Sequence, residues 1–360
     1  MQKAYIVAYC RQNLGDDMFV RTLVRRYPDL VFSCNVPPVY NQAFRMESNL
    51  RMPGNVLFFV LRLLNKLKIL PQEKYKRIAA CTNELVIRIG GSIFVESPTA
   101  KKKPRKLYHK NEFIIGANFG PYQTEFFAEE GKKFFSKCVD VCFREKFSYD
   151  LFKKLENVRI APDVLFGYPA YPMQKQGNGV GISLISMNER PQLQAYAEEY
   201  YATMAKVCDQ LIEQGTPVTL FSFCTAEQDM EAVAEVLAKV HHADRIGVRE
   251  YSGNIDEMLG WMNKCETIIA TRFHAMILGW SMGKKVVPVI YSTKLLNVIN
   301  DLAYPGFKWN LLGGEIPDVD QIVKACDEAL PLENIEELAR ESEKQFEGLD
   351  SFVRKHRRNG

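Results

Sequence analysis

The chain lacks the marks of several protein classes. It has no run of 18 apolar residues, so no segment is expected to span a membrane. Its opening residues turn polar too soon to read as a signal peptide. Lys plus Arg number 47 against 43 Asp plus Glu, a net charge of only +4, which gives no broad basic face for nucleic acid. Short internal repeats and low-complexity tracts are missing. The nine cysteines, at 10, 34, 81, 138, 142, 208, 224, 265 and 326, are odd in number and scattered, so they form no disulfide framework. Cys138 and Cys142 lie four apart, but no histidine follows at zinc spacing. They read as buried thiols in a reducing compartment.

What remains is ordinary globular composition. The 360 residues are 47% hydrophobic and 25% charged, enough for two cores. Two basic clusters stand out: Lys101-Lys102-Lys103-Pro104-Arg105-Lys106 and Arg354-Lys355-His356-Arg357-Arg358. Each is either a solvated segment or a source of attraction to an anionic membrane surface or a polyphosphate. Residues 56–70 are apolar but interrupted by Arg62, Asn65, Lys66 and Lys68. They form either a helix half-buried in its own domain or an amphipathic helix that meets a bilayer or a lipid-linked acceptor.

Short apolar runs without alternation recur at 4–9, 85–89, 113–116, 139–143 and 158–160, with helical patterns at 17–26, 55–69, 126–137 and 147–156. Such runs fit strands of a parallel sheet covered on both faces. Tyr168-Pro169-Ala170-Tyr171-Pro172 and Gln174-Lys175-Gln176-Gly177-Asn178-Gly179 read as a linker. The pattern then restarts, with strands at 180–185, 218–223, 246–248, 267–270 and 286–290. Helices follow at 192–214, 226–240, 254–264, 273–282 and 293–301, and a last charged helix at 332–355. The expected architecture is α/β, with two Rossmann-like domains, 1–170 and 178–330, facing a cleft, followed by a C-terminal helix and basic tail at 331–360. Ligands in such folds sit at the carboxyl ends of strands.

The candidate chemistry lies at those ends. Asn13-Leu14-Gly15-Asp16-Asp17 follows the first strand, and a glycine there lets the turn approach a ligand. Asp16 or Asp17 equally caps the next helix. Gly90-Gly91-Ser92 offers backbone and hydroxyl donors to an anion, or is simply a tight turn. Gly116-Ala117-Asn118-Phe119-Gly120-Pro121 is a third loop of this kind. Arg144 either faces the cleft or pairs with Glu145; Ser148 is placed to cap a helix, and Asp163 is a site or turn residue. In the second half, Thr271-Arg272-Phe273-His274-Ala275 opens a helix, with Thr271 as its expected cap. A guanidinium at a helix N-terminus matches a carboxylate or phosphate. His274 exchanges a proton near neutral pH. Tyr291-Ser292-Thr293-Lys294 follows the next strand, and Lys294 adds a cation to the same edge.

This ordered set resembles the polysaccharide pyruvyl transferases. The match rests on Asn13 to Asp17, Gly90-Gly91-Ser92, Gly116 to Pro121, Arg144-Glu145 with Ser148, Pro162-Asp163, Arg272-Phe273-His274-Ala275, and Tyr291 with Lys294. It runs over about residues 5–305. Asp17 stands where that family often has Glu, and Phe273 where Leu is common. The resemblance implies a GT-B-like fold and transfer of pyruvate from phosphoenolpyruvate to two sugar hydroxyls, giving a cyclic ketal and phosphate. It implies no metal or cofactor. The acceptor is a glycan or lipid-linked oligosaccharide of a surface polysaccharide, and the protein is placed in the cytoplasm or at the inner face of the membrane. The first domain is assigned the acceptor, with its selection in the motif-free stretch 30–80, and the second phosphoenolpyruvate. On this reading His274 is the general acid, Arg272 holds the anion, and Asp16 is the base. Asn13, Gly15, Gly90, Gly91, Ser92, Asn118, Gly120, Arg144, Tyr291 and Lys294 bind substrate. The competing readings are a nucleotide-sugar glycosyltransferase on the same fold and a non-catalytic anion-binding protein of the same pathway.

Overall fold

A computed structural model describes residues 2–96, 107–168, 177–188 and 190–357. The lysine cluster at 101–106 and most of the expected linker, 169–176, lie outside these residues. The chain divides into two α/β units.

The first unit holds a seven-stranded parallel sheet. Its strands are β1 (Lys3–Val7), β2 (Val31–Cys34), β3 (Leu50–Arg51), β4 (Leu85–Ile89), β5 (Glu112–Ala117), β6 (Asp140–Phe143) and β7 (Val158–Ile160), in the order β3-β2-β1-β4-β5-β6-β7. Every residue of β5 and β6 is buried, as a sheet covered on both faces requires. Helix Glu125–Phe135 brings Phe127, Phe134 and Phe135 onto a core with Phe94, Phe119, Phe143 and Phe152. The rings of Phe119 and Phe152 lie 4.9 Å apart, edge to face.

The second unit holds a six-stranded parallel sheet: β8 (Val180–Ser183), β9 (Val218–Ser222), β10 (Ile246–Glu250), β11 (Thr267–Ala270), β12 (Lys285–Ile290) and β13 (Trp309–Asn310), in the order β10-β9-β8-β11-β12-β13. The strand order reverses beside β1 in the first sheet and beside β8 in the second. Such switch points leave a crevice beyond the strand ends.

The units depart from the expected boundaries. The first comprises Met1–Cys10, Asp16–Val164 and Arg340–Gly360; the second comprises Arg11–Gly15 and Leu165–Ala339. The end of the chain is therefore part of the first unit rather than an appendage. Arg26 Nη2 donates to Asp350 at 2.8 Å, Phe113 packs on Phe352, and Phe346 and Leu349 are buried. Instead of one continuous helix at 332–355, the structure has Ile335–Ser342, a short turn at Glu343–Phe346, and Glu347–Arg357. The turn buries Gln345, whose side-chain oxygen accepts from Gly116 N at 2.9 Å and whose amide donates to Ala161 O at 2.8 Å.

Helix Asn55–Lys66 also departs from a half-buried reading. Val56, Leu57, Phe59, Val60 and Leu63 are exposed, and Leu67 and Ile69 continue the exposed face. No helix among the described residues is long and apolar enough to cross a membrane. Of the nine cysteines, Cys81 is exposed and the other eight are buried.

Candidate functional site

In the first unit the loops beyond β4, β5, β6 and β7 gather around Arg144. Asp16 is half-buried and Asp17 buried in the first turn of helix Leu14–Arg26, where carboxylates favour the helix dipole. Beyond β4, Gly90 adopts φ +135°, a conformation L side chains avoid, and donates to Ile115 O at 3.3 Å. Gly91 lies against Arg144 so closely that a methyl group would overlap the guanidinium. Ser92 is exposed. Asn118 N donates to Gly91 O at 2.8 Å, and its side-chain amide donates to Gly120 O at 3.3 Å.

Arg144 is the knot of this cluster. Its Nη1 donates to Asp163 Oδ2 and its Nη2 to Asn118 Oδ1, both at 2.8 Å, and the side chains of Arg144 and Asp163 are each 1% exposed. The sequence reading offered Arg144 to a ligand or to Glu145; the structure pairs it with Asp163, so it braces the loops. The expected cap also changes hands. Glu145, not Ser148, caps helix Lys146–Phe152: its carboxylate accepts from Ser148 N at 3.0 Å, while Ser148 Oγ accepts from Phe119 N at 2.6 Å.

In the second unit the loops beyond β8, β9, β11 and β12 converge, joined by the segment Arg11–Gly15. Leu14 N donates to Phe223 O at 3.0 Å, Asn13 bridges antiparallel to Cys224, and Gln12 Nε2 donates to Thr225 Oγ1 at 2.9 Å. Gly15 is thereby set against His274, and a methyl group there would overlap the imidazole. His274 lies in the first turn of helix Phe273–Ser281. Arg272, not Thr271, occupies the cap position. Thr271 Oγ1 instead lies 2.9 Å from Tyr200 Oη. Ser183, at the end of β8, closes the turn by accepting from Thr271 N and Arg272 N, both at 3.1 Å.

The Arg272 fork meets protein carboxylates. Nε donates to Asp229 Oδ2 at 2.8 Å, Nη2 donates to Asp229 Oδ1, and Nη1 donates to Glu227 Oε2 at 2.7 Å. The guanidinium expected to hold an anion is thus occupied by two protein carboxylates, and its buried charge joins the β9 and β11 loops. Asp229 also accepts from Phe223 N at 3.1 Å and Cys224 N at 2.9 Å. Arg190 reaches the same Glu227 oxygen at 2.5 Å. Burial works to raise the Glu227 carboxyl, but Arg272, Arg190 and Lys294 outweigh it and hold it down to about 2. Burial keeps Asp229 above its ordinary value against the pull of Arg272.

Beyond β12, Lys294 stands in the first turn of helix Thr293–Asp301, 5.7 Å from the Tyr291 ring and 5.9 Å from the Phe273 ring. The Arg190 guanidinium carbon also lies over the Tyr291 ring, 5.2 Å from its centre. Burial pushes the Tyr291 phenol up, yet Lys294, Arg190 and Arg272 together draw it below its ordinary value. Two helix N-termini thus open beyond the adjacent strands β11 and β12, one carrying His274 and the other Lys294. N-terminal backbone amides and a lysine favour an anion, and an imidazole in the first turn can exchange a proton with it.

The sequence reading missed Glu227, Asp229, Arg190 and Ser183. The two acids follow β9 as Arg272 follows β11, so an acid pair at a strand end was the available signal. Among the described residues, no three His, Cys, Asp or Glu side chains come together as metal ligands would.

Two parallel-sheet units of this kind define a two-Rossmann protein with the GT-B-type fold. Anabaena HepE, solved with UDP and glucose, has the same fold at a TM-score of 0.57 and 10% identity, covering 98% of this chain and 99% of HepE. Methanocaldococcus jannaschii UDP-GlcNAc 2-epimerase, solved with UDP-GlcNAc and UDP, matches at 0.55 and 10% identity, covering 94% and 98%. The chain belongs to the polysaccharide pyruvyl transferase family, whose sequence profile matches residues 13–293. It is similar to the amylovoran biosynthesis protein AmsJ of Erwinia amylovora, 26% identical over 249 residues, 62% of this chain and 60% of AmsJ. The chain thus spans about three fifths of that relative's length.

Proposed function

We propose that the protein transfers pyruvate from phosphoenolpyruvate to two hydroxyls of a sugar in a surface polysaccharide or its lipid-linked precursor. The observation that carries this reading is the placement of His274 and Lys294 in the first turns of the helices that follow β11 and β12. Phosphoenolpyruvate bears a carboxylate and a phosphate on one small frame. Two helix N-termini and a lysine suit two anionic groups.

The chemistry needs a proton donor. The methylene carbon of phosphoenolpyruvate gains a proton as the first hydroxyl oxygen bonds to the neighbouring carbon. His274 supplies that proton, and the proton of the first hydroxyl replaces it. The second hydroxyl oxygen then displaces phosphate from the same carbon, and its proton leaves with the phosphate. Lys294 and the helix amides stabilise the charge on the departing group. Arg272 acts through position, holding the His274 turn to the β9 loop.

The test is incubation with phosphoenolpyruvate and a glycan acceptor, read as free phosphate together with a mass gain for the ketal. Phosphate release that needs both acceptor and His274 supports the reading. A second reading, sugar transfer from a nucleotide sugar, draws on the fold shared with HepE, and glycosylated acceptor in a parallel incubation would favour it.

A further inference from the structure

Helix Asn55–Lys66 and the turn after it leave an apolar face uncovered among the described residues. Val56, Phe59, Val60, Leu63 and Leu67 recur at the three-to-four spacing of one helix face. They are 79%, 66%, 43%, 45% and 58% exposed, and Ile69 extends the patch at 63%. Exposed apolar surface of this extent marks an interaction site.

The charge around the face identifies the partner. Between residues 52 and 81 the chain carries Arg62, Lys66, Lys68, Lys74, Lys76 and Arg77 against the single acid Glu73. Arg62 and Lys66, four apart, fall on the flank of the apolar face rather than opposite it. Both are exposed, as are Lys68, Lys74 and Arg77. A second copy of this chain would bring two basic rims together, and like charges oppose that. The basic segment 101–106 is no apolar cover, since five of its six residues are Lys or Arg. An apolar face rimmed by cations matches the interface of an anionic bilayer: the side chains enter the acyl boundary while the cations meet the headgroups.

We infer that the protein docks on anionic phospholipid membranes through helix Asn55–Lys66 and the turn that follows it. The face is remote in sequence from the catalytic candidates, and docking holds whatever reaction the protein performs. It would bring the enzyme to the surface where lipid-linked glycans reside.

The experiment is flotation of the full chain with vesicles of phosphatidylglycerol and phosphatidylethanolamine, beside vesicles of phosphatidylcholine alone. The protein is expected to float with the anionic vesicles and to be released by salt. The Arg62→Glu, Lys66→Glu variant should bind at least about fivefold more weakly for each residue changed, the factor that corresponds to about 1 kcal/mol per basic side chain. The Phe59→Ser, Leu63→Ser variant should stay at the bottom while its circular dichroism and melting match the wild type, because both side chains are exposed. Wild-type protein that stays at the bottom overturns the inference, as do variants that float as well as the wild type. A wild-type dimer that Phe59→Ser, Leu63→Ser takes apart, without flotation, assigns the face to a second copy and also overturns it.

Discussion

Gly15 and His274 are in contact through the absence of a side chain: the glycine leaves the volume that the imidazole occupies. The segment Arg11–Gly15 is pinned to the end of β9 by Leu14 N to Phe223 O and by the Asn13–Cys224 bridge. The histidine is therefore positioned by a loop more than 250 residues away in sequence.

Gly15→Ala is expected to displace His274 and lower kcat on the order of 10²-fold, the scale of a misplaced proton donor. The fold should persist, so steady-state kinetics beside a melting curve check it. Unchanged kcat would remove His274 from the chemistry or show that the ring moves freely.

Arg272→Ala is expected to destabilise the protein by about 3–5 kcal/mol, because it leaves the Asp229 carboxylate buried and uncompensated. Arg272→Lys should recover only part of this, since an ammonium cannot bridge Asp229 and Glu227 as the planar fork does. Denaturant unfolding measures both. An Arg272→Ala variant of wild-type stability with lost ligand binding would instead make Arg272 a direct ligand holder.

The Glu227 carboxyl titrates at about 2 in the fold, below its ordinary 4.5. A depressed carboxyl contributes stability that is complete above its unfolded value and is lost as pH falls through its folded value. The stability difference between wild type and Glu227→Gln should therefore shrink as pH falls from about 5 to about 2. Asp229, raised by burial, works in the opposite sense, but it is present in both proteins and largely drops out of the difference. Urea unfolding across that window checks it, and a flat difference would contradict the pairing.

Gly91→Ala is expected to cost about 1–3 kcal/mol by pressing a methyl group into the Arg144 guanidinium and straining its bonds to Asp163 and Asn118. Asp163→Asn, which removes the carboxylate that accepts from Arg144 Nη1, should cost more, about 3–5 kcal/mol. Thermal unfolding of both variants orders the two effects.

Several strands were legible in the sequence. Leu85–Ile89, Val158–Ile160 and Thr267–Ala270 are mainly apolar runs, the first two with one arginine each, and their bounds match the expected ones. Leu50–Arg51 and Trp309–Asn310 were not read as strands, because two residues carry no periodicity, and Val31–Cys34 was missed although it is as long as Thr267–Ala270. The break at Glu343–Phe346 was hidden for a different reason: Gln345 is a good helix former, and its buried contacts with Gly116 and Ala161 are made only in the folded unit. The strand-end positions of Arg272 and Arg144 were legible, but their partners were not. A sequence shows that an arginine ends a strand; it does not show that Asp229, 43 residues earlier, has reached it first.

The most direct measurement is calorimetric titration of phosphoenolpyruvate into the full chain, beside a panel of nucleotide sugars, with Lys294→Ala and His274→Gln as comparisons. The account predicts that phosphoenolpyruvate binds and nucleotide sugars do not. Lys294→Ala should weaken that binding, while His274→Gln should retain much of it and abolish turnover. Binding of a nucleotide sugar with no response to phosphoenolpyruvate would contradict the account and make the two helix N-termini a diphosphate site.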